Sequence, residues 1–476
     1  MNAASEPDSD YDYDYDLIVI GAGPVGENVA DYAARKGVRV AIVEAELVGG
    51  ECSYWACMPS KALLRSGHAL RAAQRLAGSR EAVTGALDPA AVLARRTEFT
   101  SNWNDDGQVG WLDSVGVALI RGRGRLAGPR QVAVGDRIHT AKAVAIATGS
   151  VPVLPPIPGL AEAGAWGTRE ATSADHVPTS LAVIGGGVAG TELAFAFASL
   201  GSQVTLLSRD PLLAREEPFV GELVAAAATA EGIDVRTGVG FDRVDRDADG
   251  TVRIALADGT EVTAAEVLVS TGRRPSTDDL GLDAVGIPAG RALEVDETML
   301  VRGTDWLYGV GDVNGRALLT HQGKYQARAA GEAIAARLAG DPVDDGAWGL
   351  HAATADQAAV PRVVFTDPEV AAVGLTEAQA RERRHDIRTV EYDIGWVAGA
   401  KLHADGYTGR AKLVVDEERG VIVGATFVGQ DVAELLHSAT IAIVGEVPLE
   451  RLWHAVPAYP TISEIWLRLL ETYGRP

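Results

Sequence analysis

The fold is indicated most clearly by residues 16–44, which read DLIVIGAGPVGENVADYAARKGVRVAIVE. An apolar run leads into a turn of the form G-x-G-x-x-G, an Ala-rich segment with helical spacing follows, and a second apolar run ends the stretch. Between a buried strand and a helix, such a turn lets the backbone approach a pyrophosphate at the helix N-terminus. The stretch therefore predicts a dinucleotide-binding βαβ unit, whose glycines are Gly21, Gly23 and Gly26.

The same pattern returns 164 positions later, the difference between 185 and 21. Residues 180–208 read SLAVIGGGVAGTELAFAFASLGSQVTLLS, with Gly185, Gly187 and Gly190 in the places of the first three glycines. The repeat predicts two Rossmann-like nucleotide-binding domains in one α/β chain. The alternative is two Gly-rich turns that pack βαβ units without a ligand.

The residue that ends the second strand of each unit indicates which nucleotide binds. This residue faces the adenosine ribose, where a carboxylate accepts hydrogen bonds from the hydroxyls and repels a 2′-phosphate. It is Glu44 in the first unit, which suits FAD or NAD. The equivalent in the second unit is Ser208, followed by Arg209 and then by Arg215. We therefore expect NADPH there, with Arg209 on the 2′-phosphate and Arg215 as a further candidate; the alternative is two solvated surface arginines.

Composition and charge restrict the possible partners. The chain has 476 residues, 47% hydrophobic and 23% charged, which suits a globular protein of several domains. A formal net charge of −22 argues against nucleic acid and against anionic lipid, because phosphates are repelled. No segment approaches the ~18 consecutive apolar residues of a membrane helix. The acidic start of the chain lacks the apolar core of a signal peptide, so we expect a cytoplasmic protein.

The two cysteines of the chain, Cys52 and Cys57, lie in the segment GGECSYWACMPSK, residues 49–61. Pro59 suits the first turn of a helix that continues through KALLRS. Cys57 then lies near the helix N-terminus, where the dipole and free N–H groups stabilise a thiolate. A thiol pair inside a nucleotide-binding domain indicates redox chemistry, and the alternative is two buried, inert thiols. No residues have metal-ligand spacing, so no metal is predicted.

Shifts in composition predict the domain boundaries. The four-proline stretch VPVLPPIPG and the segment after STGRRP are typical of crossings between domains. Towards the C-terminus strands and helices cease to alternate, which predicts an α+β unit. The predicted division is an acidic disordered tail at 1–15, a discontinuous first nucleotide domain at 16–155 and 272–345, a second nucleotide domain at 156–271, and the α+β unit at 346–476.

The segment GGECSYWACMPSK resembles the active-site segment of the class I flavoprotein disulfide reductases, which include dihydrolipoamide dehydrogenase, glutathione reductase and mercuric reductase. The resemblance extends over residues 16–470 in the family's motif order. The other motifs are ATGS at 147–150, TGRRPST at 271–277, YGVGDV at 308–313, VFTDPEVAAVGLTE at 364–377 and PTISE at 460–464. The resemblance implies that the first nucleotide domain binds FAD, that the second binds NADPH and that the α+β unit forms a homodimer.

The resemblance also implies roles for individual residues. Lys61 is expected beside the flavin N5, paired with Glu192 from the helix of the second repeat. Electrons are expected to pass from NADPH through FAD to a Cys52–Cys57 disulfide, with Cys57 facing the flavin and Cys52 meeting the substrate. The cofactor contacts that it implies beyond the two glycine turns are Glu44, Gly50, Lys61, Gly149 and Asp312 for FAD, and Ser208, Arg209, Arg215, Gly272 and Arg273 for NADPH.

The chain departs from the family pattern at the C-terminal base. The usual His-Pro-Thr-x-x-Glu has Tyr459 in the histidine position, although Glu464 is present. A phenol, with a usual pKa of about 10, is a poor general base, so disulfide exchange is expected to be slow. His454 is a possible substitute or a plain surface histidine. Tyr54 and Trp55, between the cysteines, either restrict access, stack on a flat acceptor or simply pack inside the protein.

We therefore expect an FAD-containing, NADPH-dependent oxidoreductase that reduces a disulfide or another sulfur acceptor. Mercuric reductase also has a tyrosine at the position of Tyr459, which makes a metal-ion reductase one alternative, although this chain lacks a C-terminal cysteine pair to collect the metal. A quinone or dye reductase that works from reduced flavin is a second alternative. A non-catalytic redox sensor is a third.

Overall fold

The computed structural model describes residues 12–384 and 386–475. The strands are β1 Tyr15–Ile20, β2 Val40–Glu44, β3 Ala118–Arg121, β4 Gly124–Gly128, β5 Gln131–Val134, β6 Arg137–Ile146, β7 Ser150–Pro152, β8 Ser180–Ile184, β9 Gln203–Ser208, β10 Asp234–Thr237, β11 Phe241–Arg246, β12 Val252–Leu256, β13 Glu261–Ala264, β14 Glu266–Val269, β15 Arg273–Pro275, β16 Leu307–Gly309, β17 Pro361–Val364, β18 Glu369–Gly374, β19 Ile387–Asp393, β20 Arg410–Asp416 and β21 Val421–Gly429. The helices are α1 Pro24–Ala34, α2 Gly50–Tyr54, α3 Cys57–Gln74, α4 Pro89–Phe99, α5 Asp106–Ser114, α6 Thr168–Ser173, α7 Val188–Ser199, α8 Pro218–Ala230, α9 Thr320–Ala339, α10 Ala355–Ala358, α11 Glu377–Glu382, α12 Ala398–His403, α13 Val432–Val444, α14 Leu449–Leu452 and α15 Ile465–Tyr473.

The chain forms two compact units. Unit 1 contains the residues up to Cys52 together with 103–151 and 274–354, and unit 2 contains 53–102, 152–273 and 355 onwards. The crossings after 151 and after 273 lie close to those that the prolines and the TGRRP segment predict. The division into FAD, NADPH and dimerisation domains at the expected boundaries stays a prediction. Residues 1–11, most of the predicted acidic tail, lie outside the described residues.

Unit 1 is built on a seven-stranded sheet in the order β3-β2-β1-β6-β5-β4, with β16 also beside β6. The strands β3, β2, β1, β6 and β16 run parallel. Parallel strands are covered on both faces, which explains why β1 contributes an unbroken buried run from Leu17 to Ile20. Helices α1 and α9 pack against each other. The carboxyl end of β1 thus leads directly into the first glycine turn.

Unit 2 contains a second parallel sheet, in the order β10-β9-β8-β14. Helix α7 follows β8 directly and is buried over most of its length. Helix α3 packs on α7, and Leu63 and Leu64 of α3 share a hydrophobic core with Phe195 and Phe197 of α7. A three-stranded antiparallel sheet, β11-β12-β13, belongs to the same unit. The helix that begins at Cys57 is therefore fixed on the helix of the second glycine turn.

The C-terminal part of unit 2 is a five-stranded antiparallel sheet in the order β17-β18-β21-β20-β19. Helix α13 packs on β18 and β21, and α15 packs on β19 and β20. This confirms the expected fold class, an α/β chain with two Rossmann-like units and an α+β C-terminal part. No helix within residues 12–384 or 386–475 has the length and apolar character that a membrane crossing requires.

A buried ion-pair network joins α3 to the segment between β17 and β18. Asp367 Oδ2 accepts from Arg71 Nε at 2.8 Å, and its Oδ1 lies 2.7 Å from Arg75 Nη2. Arg71 also donates to Ser199 Oγ, at the end of α7, at 2.8 Å. Burial raises the pKa of Asp367, but the hydrogen bonds from Arg75 and Arg71 outweigh it, so the carboxyl pKa lies below its usual value.

We predict that D367N destabilises the holoenzyme by about 3 kcal/mol near neutral pH, because it leaves the buried Arg71 and the half-buried Arg75 without the carboxylate that they share. A lowered carboxyl pKa contributes stability above its unfolded value of about 4, and this contribution is lost as the pH falls through the folded value. The wild-type advantage is therefore expected to shrink below about pH 4.

The measurement is the thermal unfolding midpoint of wild-type and D367N holoenzymes across this pH range. The control is E471Q, which removes the exposed partner of Arg468 on α15 and is expected to change little. A wild-type advantage that stays constant from neutral pH to pH values below about 4 would contradict the role of Asp367.

Candidate active site and nucleotide-binding sites

The outer glycines of both turns allow close backbone packing. Gly21 has a φ of +100°, and a Cβ there would lie 2.6 Å from the carbonyl oxygen of Ala147. In the second repeat Gly185 has a φ of +125°, and a Cβ there would overlap the carbonyl of Ser270. A Cβ on the third glycine, Gly26 or Gly190, would overlap the carbonyl oxygen of the first. Glycine is therefore required for helix and strand to pack at both places.

The middle glycines have open space beside them. A Cβ on Gly23 would meet nothing nearer than the Gly50 Cα at 4.0 Å, and a Cβ on Gly187 would meet no atom within 4 Å. Each turn thus leaves its backbone accessible at the N-terminus of a long helix. This is the geometry that a pyrophosphate requires, because its oxygens must approach free N–H groups without side-chain obstruction.

Glu44 ends β2 and is bonded to the first glycine turn. Its Oε2 accepts from the Ala22 N–H, and its Oε1 accepts from the Glu46 N–H, both at 2.8 Å. Gly50 also lies against this turn, because a Cβ on it would be 2.7 Å from the Gly23 Cα. The structure thus fixes a carboxylate at the strand end where an adenosine ribose is expected.

Asp312 also lies in unit 1, in a short 3-10 helix, Gly311–Asn314. Its Oδ2 accepts from Ser150 Oγ at 2.6 Å, and Ser150 directly follows Gly149. A Cβ on Gly311 would lie 3.1 Å from Val25, in the first turn of α1. Asp312 is therefore held next to the start of the helix that follows the first glycine turn.

The second glycine turn has no carboxylate at the corresponding strand end. Ser208 is buried at the end of β9, and a Cβ on Gly186 would lie 2.6 Å from its Oγ. The following loop folds back on the turn, where the Leu213 N–H donates to the Gly186 carbonyl at 2.9 Å. Arg209 and Arg215, in this loop, are exposed, and in the part of the chain that the structure describes neither forms an ion pair.

Gly272 and Arg273 follow the strand next to β8 in the same unit. The carbonyl of Ser270, two residues before Gly272, lies against Gly185. Gly272 has a φ of +134° and no atom within 4 Å of an added Cβ. The segment therefore begins beside the second glycine turn and has open space at Gly272, as a nucleotide-contacting segment requires.

The two cysteines occupy two successive helices. Cys52 lies in α2 and Cys57 is the first residue of α3, and both are half-buried thiols that are not joined in a disulfide. The Cys57 carbonyl accepts from Ser60 Oγ at 3.2 Å. Cys57 therefore lies at the positive end of the helix dipole, which favours a thiolate on its sulfur.

Lys61 lies one turn after Cys57 and pairs with Glu192 of α7. Lys61 Nζ donates to Glu192 Oε2 at 2.7 Å, and Glu192 Oε1 accepts from the Phe365 N–H at 2.9 Å. The Glu192 side chain is 3% exposed and that of Lys61 is 36% exposed. Lys61 Nζ also lies 5.0 Å from the centre of the Phe365 ring. One buried carboxylate thus joins the helix of Cys57, the helix of the second glycine turn and the segment after β17.

Tyr459 and Glu464 lie in the segment before α15. Tyr459 is 77% exposed, whereas Glu464 is buried and its Oε2 accepts from the Gly399 N–H at 3.1 Å. His454, the possible substitute base, is exposed and lies just after α14. Tyr459 is therefore presented to solvent by the single chain, and Glu464 is bonded inside it.

Family comparisons agree with this arrangement. A family model described as pyridine nucleotide-disulphide oxidoreductase matches residues 15–333, and one described as its dimerisation domain matches residues 360–469. The chain belongs to the pyridine nucleotide-disulphide oxidoreductase family. It is therefore an oxidoreductase of the NAD(P)H- and FAD-dependent disulfide type. The dimerisation domain supports the homodimer that the sequence predicts.

Several curated relatives extend over most of the chain. A mercuric reductase from Staphylococcus aureus is 32% identical and covers 94% of this chain and 80% of its own length. A dihydrolipoyl dehydrogenase from Rhizobium etli is 30% identical, with 96% of this chain and 98% of its own length covered. Among solved structures, the HOCl-induced flavoprotein disulfide reductase RclA from Escherichia coli has a TM-score of 0.81 at 25% identity and covers 96% of this chain and 99% of its own.

Members of this family use FAD and NAD(P)H, and the residues present fit both. The two glycine turns leave their middle backbone open, and the acidic and non-acidic strand ends differ as the two nucleotides require. The residues available to hold FAD are the first glycine turn with Glu44, Gly50, Gly149 and Asp312. Those available to NAD(P)H are the second turn with Ser208, Arg209, Arg215, Gly272 and Arg273.

Sequence reasoning missed several partners of the site residues. Phe365, inside a motif noted only for resemblance, contributes its backbone N–H to Glu192. Ser150, in the ATGS motif, bonds to Asp312. Arg169 stacks on Trp55 from 114 residues away, the difference between 169 and 55. The motifs VFTDPEVAAVGLTE and ATGS, which contain Phe365 and Ser150, were recognisable in the sequence. No local pattern indicated Arg169.

Proposed function

We propose that this chain is an NADPH-dependent reductase of a small-molecule disulfide or another sulfur acceptor, and that Cys52 and Cys57 are its redox pair. The observation that carries the proposal is Cys57 at the first position of a helix whose Lys61 is bonded to Glu192, on the helix of the second glycine turn. The cytoplasmic location expected from the sequence stays a prediction.

When bound, the two nucleotides would supply hydride and electron-pair transfer, and Cys52 and Cys57 would receive the electron pair. Cys52 then attacks the acceptor disulfide, and a mixed disulfide forms as one acceptor thiolate leaves. Cys57 attacks Cys52, the second thiolate leaves, and the Cys52–Cys57 disulfide forms again. Each leaving thiolate takes up a proton, so a group that exchanges protons beside the interchange thiol affects the rate.

Tyr459 stands where a base would assist these proton transfers. A phenol is a poorer proton acceptor and donor than the imidazole of the family pattern, so it assists the exchange at Cys52 less well. Glu464 is buried and already accepts from Gly399. We therefore propose that the reaction is slow with ordinary disulfides and depends on acceptors whose leaving thiols have a low pKa.

NADPH is favoured over NADH because of the charge around the second strand end. Ser208 places no carboxylate there, and the exposed guanidiniums of Arg209 and Arg215 are available to a 2′-phosphate. A guanidinium binds a phosphate through charge-assisted, often bidentate hydrogen bonds. The loop that bears both arginines is bonded to the glycine turn through Leu213 and Gly186, which keeps them near the nucleotide.

We predict that R209L lowers kcat/KM for NADPH by about 10- to 100-fold and leaves that for NADH nearly unchanged. The measurement is steady-state reduction of dithiobis(nitrobenzoate) with each nucleotide, and R215L is tested beside it. The control is R253L, which removes an exposed arginine of β12. A wild-type enzyme that prefers NADH, or an R209L variant that loses both activities equally, would contradict the NADPH assignment.

Metal-ion reduction is the second candidate, because several curated relatives at 32–34% identity are mercuric reductases. The chain contains no cysteine besides Cys52 and Cys57 that might deliver a metal to them. Quinone reduction requires neither cysteine, because the electrons leave directly from the flavin. Quinone reduction therefore differs from disulfide and metal-ion reduction in not depending on the cysteines.

We predict that C52S reduces NADPH-dependent turnover of dithiobis(nitrobenzoate) by at least about 100-fold and spares turnover of benzoquinone, because only the first acceptor needs the interchange thiol. Mercuric ion is tested as a third acceptor, to establish which acceptor the wild type prefers. Y459H is expected to raise the turnover of ordinary disulfides, whose leaving thiols lack a low pKa, by about tenfold by restoring a base, whereas the control Y459F is not. Full disulfide turnover in C52S, or mercuric ion as the preferred acceptor of the wild type, would overturn the sulfur-acceptor assignment.

A further inference from the structure

The segment between the cysteines, Ser53-Tyr54-Trp55-Ala56, is held by its aromatic residues. Tyr54 is 1% exposed, and Trp55 is half-buried beside it. The two rings lie 5.6 Å apart between centres, at an angle of 59°. Tyr54 is thus a core residue, so the expectation that it simply packs inside the protein is the one that the structure supports. Trp55 has a different environment.

Residues of helix α6 contact both the ring and the backbone carbonyl of Trp55. The Arg169 guanidinium carbon lies 3.9 Å from the centre of the indole, a close cation–π stack. Thr172 Oγ1 donates to the Trp55 carbonyl at 2.8 Å. Trp55, Arg169 and Thr172 together are called the Trp55 clamp below. Residues one turn apart on a single short helix thus reach the side chain and the backbone of the same loop residue.

Helix α6 is itself firmly anchored in unit 2. Arg96, 2% exposed on α4, donates to the Ala174 carbonyl at 2.9 Å and to the Thr172 carbonyl. Before the helix, the Trp166 N–H donates to Val267 at 2.9 Å, and its carbonyl accepts from Val269 at 2.8 Å. These bonds attach α6 to β14 of the nucleotide sheet. The clamp therefore connects the cysteine loop to a rigid element.

We propose that the Trp55 clamp is a positioning device for the redox pair, with Arg169 and Thr172 fixing the loop that sets the approach of Cys52 and Cys57. This proposal rests on the proposed function, in which the two sulfurs must be aligned for each exchange. Thiol–disulfide exchange requires the attacking thiolate to reach one particular sulfur, so a loop that moves lowers the rate without changing nucleotide binding.

The clamp also argues against one possible role of Trp55. A flat acceptor stacked on an indole needs a free ring face, and the Arg169 guanidinium occupies one face at 3.9 Å. Stacking on that face would require the acceptor to displace a cation from the ring. The indole face that Arg169 covers is therefore assigned to holding the loop rather than to recognising a quinone or dye.

The test compares R169Q and T172V with the wild-type holoenzyme. Each is expected to lower kcat for dithiobis(nitrobenzoate) by about tenfold with an unchanged KM for NADPH, because only alignment of the sulfurs is affected. T172S, which keeps the hydroxyl, is expected to restore the wild-type kcat. The control is R388Q, which removes a similar stack of Arg388 on Tyr473, 4.6 Å from the ring centre, elsewhere in unit 2.

Amide hydrogen exchange of residues 53–58 in the same holoenzymes gives a readout that does not depend on turnover. R169Q and T172V are expected to speed exchange of this segment by about tenfold over wild type and R388Q, since the loop opens more often without its clamp. Exchange and kcat equal to those of R388Q would overturn the proposal, as would a kcat loss in T172V that T172S fails to reverse.

The exchange measurement also separates this inference from the proposed function. If the wild type reduced no disulfide but the clamp variants still loosened residues 53–58, the acceptor assignment would be wrong and the clamp would remain as the anchor of the loop. If the wild type reduced disulfides and neither variant altered exchange or kcat, the clamp would be wrong and the proposed function would stand.

Discussion

The buried carboxylate of Glu192 is the constraint on which the site depends. A charge that is 3% exposed is costly unless it is paired, and Glu192 is bonded to Lys61 through one oxygen and to the Phe365 N–H through the other. Its two bonds join the helix that begins at Cys57, the helix that follows the second glycine turn and the segment after β17. The thiol, the lysine and the nucleotide turn are therefore fixed to one another in unit 2.

Two further contacts act on the same helix. The pair of Asp367 with Arg71 and Arg75 holds its far end, and the Trp55 clamp holds the loop that precedes its first residue. The helix is thus restrained before its N-terminus, in its second turn and near its C-terminus. Such a helix keeps the positive end of its dipole beside Cys57 in a constant orientation, as a thiolate that is repeatedly oxidised and reduced requires.

The sequence predicted the fold and much of the site because their signals are local. Each glycine turn and the strand end that follows it, Glu44 or Ser208, lie within one βαβ unit of about 30 residues, and Pro59 indicates the helix that begins at Cys57 two residues earlier. The stack of Arg169 on Trp55 and the bonds from Arg71 to Asp367 join distant segments through side chains with no periodic pattern. Only the packing of the folded chain brings them together, so residue order alone did not indicate them.

The proposed mechanism requires electrons from NAD(P)H to reach Cys52 and Cys57. Its most direct test is an anaerobic count of reactive thiols in denatured protein, before and after the oxidised holoenzyme is reduced with NADPH and freed of excess nucleotide. Because the chain has two cysteines and no others, the count is unambiguous. We expect the count of reactive thiols to rise from none to two per chain. Consumption of NADPH with no new thiol would contradict it, since the electrons would then bypass the cysteine pair.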